Sequence, residues 1–377
     1  MLTLGTVVAA LIGSRPESAL LSQPIAEVVI DSRRARKHAL FVALPGEITD
    51  GHQFVQQAFS AGAMAALVQQ DVSAECAVVD LRRSHRSVQE WQRAQFPLCL
   101  RVEDSLAALQ RVAQHWRTQL DVRVVGVTGS VGKTTTKELT AAVLARRFRT
   151  LKNEGNLNNE IGLPLSLLQL RERHERAVLE MGFYTRGEIA LLCELSQPHV
   201  GVITNVYPVH LERAGTLKDI AAGKGELVEA LPPDPDGVVV LNADEPEVMA
   251  MSGRTRARVF TYGLEPDADL WASHVEGMGL SGIRFRAHYR GDTLHVRVPL
   301  LGRHSVHTAL RAAAVGLTEG LTWQEILEGL QAQDGQAQLR LYAVSGPRDS
   351  IILDDTYNAS PESAIAALNL LEDLDAA

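Results

Sequence analysis

The sequence predicts an α/β protein that contains more than one domain. Near-continuous apolar runs such as "RAVLEMG" and "HVGVITNV" are typical of parallel strands that are buried on both faces, and helical stretches separate them. A chain of 377 residues exceeds the usual size of one domain, so we expect two or three. A glycine-rich turn lies between one of these strands and the next helix, where doubly wound sheets commonly bind ligands.

Composition and charge narrow the class of protein. Hydrophobic residues make up 46% of the chain and charged residues 22%, as in folded globular proteins. The net charge of −8 argues against a general nucleic-acid or membrane-surface binder, and no apolar run reaches the length of a membrane span. The N-terminal "MLTLGTVVAALIGS" lacks the basic start of a signal peptide, so we expect a helix of the mature protein there.

The cysteines indicate the redox compartment. Cys76, Cys99 and Cys193 are far apart in sequence and form no CxxC pair. We therefore expect free, unreactive thiols rather than a disulfide framework or a thiolate zinc site, and a reducing, cytoplasmic location.

The first domain is predicted over residues 1–102. Short apolar strands in "IAEVVIDSR", "HALFVAL", "AALVQ" and "CAVVDL" alternate with helical stretches. The segment "GHQFVQQAFSAGA" places its apolar residues at helical spacing. These patterns predict a small α/β domain.

A central domain is predicted over residues 103–335. It opens with the helix "SLAALQRVAQHWRTQ", and the strand "VRVVGV" then begins a strand–helix series that favours a mostly parallel sheet. The segment "RFRAHYRGDTLHVRVPL" predicts an antiparallel hairpin around Arg290, Gly291 and Asp292.

Residues 336–377 predict only one strand, in "DSIILDDTYNAS", and one helix, in "PESAIAALNLLEDL". One strand and one helix cannot bury a core of their own. This segment therefore either docks on the central domain or begins a domain that the sequence leaves incomplete.

The turn in "VVGVTGSVGKTTTKE" has the chemistry of a phosphate cradle, or P-loop. A glycine-rich turn between a strand and a helix exposes successive backbone N–H groups, and the helix N-terminus adds partial positive charge. Lys133 would hold the β- and γ-phosphates and Thr134, which we expect to open the helix, would bind Mg²⁺. Val127 stands where the usual pattern has glycine, so the motif is a variant, GxxGKT. The alternative is a glycine turn with a chance Lys-Thr pair. The residues expected to contact nucleotide are Thr128, Gly129, Ser130, Val131, Gly132, Lys133, Thr134 and Thr135.

Two polar residues follow neighbouring strands of the predicted sheet. Glu180 ends the strand "AVLEMG", and His210 follows the strand "VGVITN". Ligands bind beyond the carboxyl ends of parallel strands, so both side chains could reach a Mg²⁺ ion near the phosphates. Taken alone, each is more often a capping or solvated group, and histidine is an unusual ligand for Mg²⁺, which prefers oxygen.

These segments together resemble the Mur ligase family. The resemblance is carried, in order and spacing, by "TGSVGKTTTKE", "NEGNLNNEIGLPLSLL", "LEMG", "HLE" and "GKGELVEAL". "GNLNNEIGLP" is the most specific part and favours the branch that adds D-alanyl-D-alanine. "DSRRARKHALFVALPGEITDGHQFVQQAFSAGA" resembles a uridine-nucleotide domain of the family, and "LLGRHSVHTALRAAA" and "ILDDTYNASPES" resemble its nucleotide-base and hinge segments. The resemblance covers nearly all of the chain.

The resemblance implies an ATP-dependent, ADP-forming ligase. Residues 1–102 would bind the UDP-substrate, residues 103–335 would bind ATP, and residues 336–377 would begin a Rossmann-like C-terminal ligase domain. ATP would phosphorylate the terminal carboxylate of UDP-N-acetylmuramoyl-tripeptide, and D-Ala-D-Ala would attack the acyl phosphate. This is a step of peptidoglycan synthesis, which serves the cell wall, cell shape and cell division. The protein would act as a monomer and would mainly position and neutralise anions.

The resemblance also implies roles for individual residues. The catalytic residues would be Lys133, Glu180, His210 and Lys224. Thr134 and Glu180 would bind one Mg²⁺, and Glu180 and His210 a second. Lys224 matches the family's carbamylated lysine, whose carbamate can bind or orient Mg²⁺; without the resemblance it would be a solvated helix lysine.

Further matches concern the two nucleotides. Asn156, Asn158 and Asn159 match asparagines on the substrate side, although a polar, turn-rich loop is the simpler explanation from composition. Ser32, Arg33 and His52 match positions at the uridine diphosphate. Asp355 matches an acidic residue near the ATP ribose, and Arg340 an arginine that reaches the γ-phosphate.

Three departures from the family pattern stand out. The family's "GRHNxxNALAA" reads "GRHSVHTALRAA" here, so Ser305 and Thr308 replace both asparagines, and Thr308 falls where an amide would read adenine. The family's "PGR" reads "QLR" at Arg340. Only the first strand and helix of the C-terminal domain are present, which puts the activity of a chain ending at residue 377 in doubt.

Two alternatives to the dipeptide-adding ligase stay open. The chain could be a degenerate, non-catalytic nucleotide-binding or scaffold protein derived from the family, or another Mur ligase such as MurE. An unrelated P-loop kinase would leave the first domain and "GNLNNEIG" unexplained.

Overall fold

The structure is a computed structural model that describes residues 1–82, 91, 94–208, 212, 215–332, 342–356 and 361–375. The chain forms two compact units. One comprises Met1–Asp121 and Glu160–Glu172, and the other comprises Val122–Asn159 and Arg173–Ala377. Within the described part of the chain, no helix is both long enough and apolar enough to cross a membrane. The domain boundaries at residues 102 and 335 stay predictions.

The first unit is built on a parallel sheet of five strands in the order β1-β2-β3-β5-β4. The strands are β1 (Val28–Val29), β2 (Ala39–Val42), β3 (Ala63–Val68), β4 (Ala77–Asp80) and β5 (Leu98–Arg101). Every residue of β2 and β3 is buried, as expected of strands covered on both faces. Four strands lie in the predicted segments, whereas the prediction has no strand at β5.

The helices of this unit are α1 (Leu4–Ile12), α2 (Val55–Ser60), α3 (Ser105–Thr118) and a later one, α5 (Gly162–Leu167). The predicted N-terminal helix is confirmed: the Thr3 side chain caps its start and Gly13, at φ 73°, ends it. The predicted helix at Gly51 is shorter, because the Asp50 carboxylate accepts the His52 N–H and fixes a 3₁₀ turn over Gly51–Phe54.

Two of the three cysteines lie closer together than their sequence separation suggests. Cys76 and Cys99 are free thiols whose Sγ atoms are 3.0 Å apart, because Cys76 immediately precedes β4 and Cys99 belongs to the neighbouring strand β5. Burial raises the pKa of the Cys99 thiol, and burial alone accounts for most of a similar rise in the pKa of Cys193. Both cysteines are therefore protonated and unreactive, as predicted.

The second unit contains a nine-stranded sheet in the order β14-β13-β12-β11-β10-β9-β6-β8-β7. The strands are β6 (Arg123–Thr128), β7 (Thr150–Lys152), β8 (Arg176–Glu180), β9 (Val200–Ile203), β10 (Val238–Asn242), β11 (Arg258–Gly263), β12 (Leu270–Gly277), β13 (Ile283–Tyr289) and β14 (Asp292–Val298). The pairs from β7 to β12 are parallel, and β12-β13-β14 are antiparallel. The predicted hairpin is confirmed, with Arg290 and Gly291 both at positive φ in its turn.

The helices of the second unit are α4 (Lys133–Leu144), α6 (Glu188–Ser196), α7 (Leu217–Glu229), α8 (Pro246–Met249), α9 (Ser305–Thr318) and α10 (Trp323–Gln331). Leu139 of α4, Leu310 of α9 and Ile326 of α10 share one buried core with Val125 of β6. This core fixes α4 and α9 over the sheet, so that both helices begin near its carboxyl edge.

The last described elements are β15 (Tyr342–Ser345), β16 (Ile351–Asp354) and α11 (Pro361–Asp375). The predicted strand and helix are present, and β15 adds a second, antiparallel strand. Ile351, Ile352, Ile365 and Leu368 are exposed, in line with the expectation that these elements cannot bury a core of their own.

Candidate functional site

The loop between β6 and α4 requires glycine at two positions. Gly129 has φ 146° and Gly132 has φ 81°, and a Cβ atom at Gly129 would overlap the Thr204 side chain. Gly132 caps the helix in the left-handed conformation. The helix therefore begins at Lys133, one residue before the predicted Thr134, and its N-terminus follows directly on the loop.

Residues after β9 hold this loop in shape. The Asn205 side chain accepts the Val131 N–H at 2.8 Å, and the Val131 carbonyl accepts hydrogen bonds from Thr204 and Asn205. The Ser130 hydroxyl donates to the Tyr207 carbonyl and accepts the Tyr207 N–H. The sequence prediction does not include Thr204, Asn205 or Tyr207. Their position directly after a buried strand could have identified them.

Lys133 lies over the loop itself. Its Nζ donates to the carbonyls of Gly129 at 2.9 Å and Ser130 at 3.2 Å. The ammonium group and the N-terminus of α4 thus place positive charge on one side of the loop, which suits a phosphate group.

Thr134, Asn158 and Glu180 meet at the carboxyl end of β8, and we call these three residues the Glu180 site. Thr134 Oγ1 donates to Glu180 Oε2 at 2.9 Å, and Asn158 Nδ2 donates to Oε1 at 2.9 Å. Glu180 is only 3% exposed, so the two bonds fix a buried carboxylate in one orientation. Glu180 and Thr134 therefore lie within hydrogen-bond distance of each other, and their roles as metal ligands stay predictions.

Two further residues position Glu180. The Asn153 side-chain oxygen accepts the Glu180 N–H at 2.9 Å. Lys137 is fully buried, donates to the Asn153 carbonyl at 2.8 Å and lies 4.0 Å from Glu180 Oε2. The sequence prediction lacks both residues. Lys137 follows Lys133 by one helical turn and therefore shares its face of α4, a spacing that could have identified it.

Lys224 on α7 is buried, which excludes the alternative of a solvated helix lysine. It is 1% exposed, and its Nζ lies 4.6 Å from the centre of the Phe183 ring. Burial, and to a lesser degree the charge of Lys133, holds the pKa of Lys224 well below its usual value. Burial therefore shifts the equilibrium of this side chain toward the neutral amine.

A cavity of about 830 Å³ lies between the loop and α9. Its wall includes Val131, Gly132, Thr135, Asn205, Tyr207, Asp244, Glu245, Ser305, His307, Thr308, Arg311 and Asp355. We call Ser305, Thr308 and Arg311 the α9 wall. Ser305 Oγ donates to the Leu301 carbonyl at 2.7 Å, so its hydroxyl proton is already engaged in a bond within the protein. Asp355 lines the cavity, and its contact with the ATP ribose stays a prediction. Arg340 and His210 lie outside the described residues.

Polar partners at the same cavity are paired with one another. His307 Nε2 lies 2.7 Å from Asp244 Oδ2, and the Tyr207 hydroxyl donates to Glu245 at 2.7 Å. Burial lowers the pKa values of His304 and His307, and the charge of Arg311 contributes to both shifts. Near neutral pH these histidines therefore carry little positive charge.

The residues predicted to contact uridine diphosphate lie in the first unit. Arg33 is exposed and ion-paired with Asp31, and this hydrogen bond lowers the pKa of Asp31 to about 2. Ser32 Oγ donates to Gln57 at 3.0 Å. Both ring nitrogens of His52 are engaged, Nδ1 with Asp50 at 2.6 Å and Nε2 with the Gln69 N–H at 3.0 Å. Their roles toward a ligand stay predictions, as do those of the exposed Asn156 and Asn159.

Known proteins are similar to this chain in sequence. The family model described as "Mur ligase middle domain" matches residues 127–316, and that described as "Mur ligase family, catalytic domain" matches residues 24–117. UDP-N-acetylmuramoyl-tripeptide–D-alanyl-D-alanine ligase of Bacillus subtilis is 37% identical over 349 residues, which are 92% of this chain and 70% of that protein. The chain belongs to the Mur ligase family. The protein of the same name from Synechocystis sp. is 36% identical over 92% of this chain and 69% of its own length.

Solved structures of Mur ligases agree with the fold. MurF from Acinetobacter baumannii has a TM-score of 0.82 at 30% identity, covering 98% of this chain and 76% of that one. MurF ligase from Thermotoga maritima, in complex with ADP, has a TM-score of 0.75 at 27% identity, covering 93% and 75%. The predicted Mur ligase resemblance and α/β fold class are confirmed.

Proposed function

We propose that this Mur ligase joins D-alanyl-D-alanine to UDP-N-acetylmuramoyl-tripeptide with consumption of ATP, a step in the synthesis of peptidoglycan precursors. Proteins of that printed name from B. subtilis, Synechocystis sp., Haemophilus influenzae and Escherichia coli, 33 to 37% identical, support the substrates. The ADP complex of the T. maritima relative supports the nucleotide. The observation that carries the proposal is the Glu180 site, which fixes a buried carboxylate against the hydroxyl of the phosphate-binding loop.

The reaction proceeds in two steps. The terminal carboxylate of the tripeptide attacks the γ-phosphorus of ATP, forming an acyl phosphate and releasing ADP. The amino group of the dipeptide then attacks the acyl carbon, loses a proton, and expels phosphate as the amide bond forms. The N–H groups of the loop and Lys133 hold the phosphates in place and stabilise charge that develops during transfer.

The Glu180 site fits a magnesium ion. Carboxylate and hydroxyl oxygens are the ligands that Mg²⁺ prefers, and Thr134 Oγ1 and Glu180 Oε2 lie 2.9 Å apart. We propose that these two side chains hold Mg²⁺, with Asn158 and Lys137 fixing the carboxylate. A bound ion there neutralises negative charge on the phosphates. His210, a second proposed ligand, lies outside the described residues.

We also propose that Lys224 carries a carbamate. Only a neutral amine reacts with CO₂: the nitrogen lone pair bonds to carbon, one N–H proton leaves to solvent, and an anion results. The lowered pKa of Lys224 supports this reaction, because it raises the share of the neutral amine over that of an exposed lysine. The anion formed would offset the nearby charge of Lys133 and could bind or orient Mg²⁺.

In the first unit, we propose that the surface around Ser32 and Arg33 binds the uridine diphosphate. Arg33 is exposed and its guanidinium can contact a phosphate oxygen while it keeps one bond to Asp31. His52 acts by positioning, since its bonds to Asp50 and Gln69 tie the turn to the end of β3.

The test is a reconstituted reaction with ATP, Mg²⁺, UDP-N-acetylmuramoyl-tripeptide and D-Ala-D-Ala, analysed by mass spectrometry. We expect the pentapeptide product, ADP and phosphate in equal amounts, and none of the amide product when any one component is omitted. ATP binding without product would favour the degenerate alternative. Product formed with a single amino acid on a UDP-dipeptide, and not with D-Ala-D-Ala, would favour a ligase of the MurE type.

A further inference from the structure

Arg311 is a buried cation on the α9 wall, and no described carboxylate is ion-paired with it. The residue is 5% exposed. Its Nε donates to the Tyr262 hydroxyl at 2.6 Å and its Nη1 donates to the Thr136 hydroxyl at 2.8 Å. Within the described residues, no carboxylate forms an ion pair with Arg311 and Nη2 has no protein partner.

Such an arrangement is unfavourable unless an anion completes it. A guanidinium group keeps its charge at all physiological pH values, and a buried charge is costly when only neutral groups bind it. Thr136 offers a neutral hydroxyl, and burial raises the pKa of Tyr262, which keeps its phenol neutral as well. Neither partner therefore balances the charge of Arg311.

The position of Arg311 indicates which anion is expected. It lies on the cavity, and its Nη1 lies 3.5 Å from the point where a Cβ atom would stand on Gly132, the residue that caps α4. Thr136, which it contacts, belongs to the first turn of the same helix. The guanidinium thus lies beside the N-terminus of α4.

We propose that Arg311 binds a phosphate group of the nucleotide. The phosphate would then contact two positive charges, that of Lys133 at the start of α4 and that of Arg311 on α9. The proposal rests on the proposed function, since it assigns a further contact to the same ATP site. The family pattern quoted above has alanine at this position, so the contact is a feature of this chain. Tyr262 and Thr136 act as positioning residues, because they orient the planar guanidinium without touching the ligand.

Equilibrium binding tests this with two probes, MgADP and magnesium tripolyphosphate, the second of which has phosphates but no nucleoside. We expect Arg311→Met to weaken both about tenfold or more, as for loss of a charge-assisted contact, and Arg311→Lys to retain part of the affinity. Tyr262→Phe, the matched control, removes one anchoring bond but keeps the charge, and should change either affinity less than about threefold. If the methionine variant does not fold by circular dichroism, Arg311→Gln, which can still donate to Tyr262, takes its place.

The outcomes separate the two proposals. Unchanged affinity of the charge-neutral variants for both probes would overturn the role of Arg311, and so would a loss for MgADP alone, which would indicate a contact to the nucleoside. Failure of the native protein to bind tripolyphosphate would also overturn it. Phosphate binding that depends on Arg311, in a protein that forms no ligation product, would contradict the proposed ligase function and leave the role of Arg311 intact.

Discussion

The Glu180 site and the α9 wall border the same phosphate-binding loop, yet they differ in how their residues are bonded. At the Glu180 site, Thr134 and Asn158 both donate to one carboxylate. On the α9 wall, Ser305 donates to the Leu301 carbonyl and Arg311 donates to neutral hydroxyls. Side chains of the protein therefore already bind the Glu180 carboxylate, which needs only a cation as ligand. The charge of Arg311 on the α9 wall, in contrast, is not balanced until an anion binds. Changes at the first should abolish chemistry, and changes at the second should adjust affinity.

Lys133→Ala should have the largest effect. We expect ligation to fall about a hundredfold to a thousandfold, the usual cost of one charge-stabilising donor, with little change in melting temperature, because the bonds of its ammonium group to the Gly129 and Ser130 carbonyls are local to the loop. Steady-state ADP release and calorimetry measure the two quantities. A fall in stability that matches the fall in activity would show a structural role instead.

Glu180→Gln should come next. The amide keeps the size of the side chain but loses the charge that a cation needs, so kcat should fall about a hundredfold and saturation should require more Mg²⁺. Glu138→Gln is the matched control: Glu138 lies 3.3 Å from Lys137 but accepts no bond from Thr134, and we expect a change of only a few-fold. Equal losses in both variants would mean that the Glu180 carboxylate acts by pairing with Lys137 rather than by binding Mg²⁺.

Lys224 should affect the pH dependence of protein stability as well as the activity. Its folded-state pKa is lowered, so the unfolded chain binds the extra proton and stability rises with pH between the lowered pKa and the usual value of 10.5. In CO₂-free buffer, the free energy of unfolding should rise from pH 7 to 9 more steeply than in Lys224→Met, by at most about 1.4 kcal/mol per pH unit. Denaturant titrations at several pH values give this slope, and parallel slopes in the two proteins would contradict it.

Carbamylation of the same residue predicts a second effect. Ligation by the native protein should fall in CO₂-depleted buffer and recover with bicarbonate, and acetate should partly restore Lys224→Ala by supplying an anion. Activity that does not depend on bicarbonate, together with no rescue by acetate, would indicate that Lys224 is an unmodified buried lysine.

Thr308→Asn should have the smallest effect, and of opposite sign. The family pattern places an amide there to read adenine, so we expect ATP to bind about threefold more tightly, the gain of one neutral hydrogen bond. Ser305→Asn should not tighten binding, because Ser305 already donates to the Leu301 carbonyl. Tighter binding by the Ser305 variant and not by the Thr308 variant would reverse the assignment along α9.

The residues that could be predicted from sequence share one property: each lies within a motif or directly after an apolar strand. The loop at Gly129 and Gly132, and Glu180 at the end of β8, follow from local pattern alone. The contacts that hold them, from Asn153, Asn205 and Thr204, depend on which strands are neighbours, and strand order is not written in any one segment. Only the family resemblance singles out Lys224, and its burial is not predicted, since its helix "AAGKGELVEA" gives no local sign of it.

Arg311 is a residue whose environment could not be predicted from the sequence. In sequence it is one arginine in an alanine-rich helix, where an exposed position is the simplest expectation. Its burial arises because α9 packs against α4, which brings residues 175 positions apart into contact. A buried charge of this kind becomes visible only in three dimensions, once its partners can be counted.

In the proposed reaction, the substrate carboxylate takes a phosphoryl group from ATP before the amide forms, and isotope transfer is the sharpest test of this order. The tripeptide substrate is prepared with ¹⁸O in its terminal carboxylate, and the phosphate released during ligation is analysed by mass spectrometry. Because the bridging oxygen of an acyl phosphate comes from the carboxylate, we expect each phosphate to carry one ¹⁸O atom. Unlabelled phosphate, released while amide product accumulates, would contradict the claim.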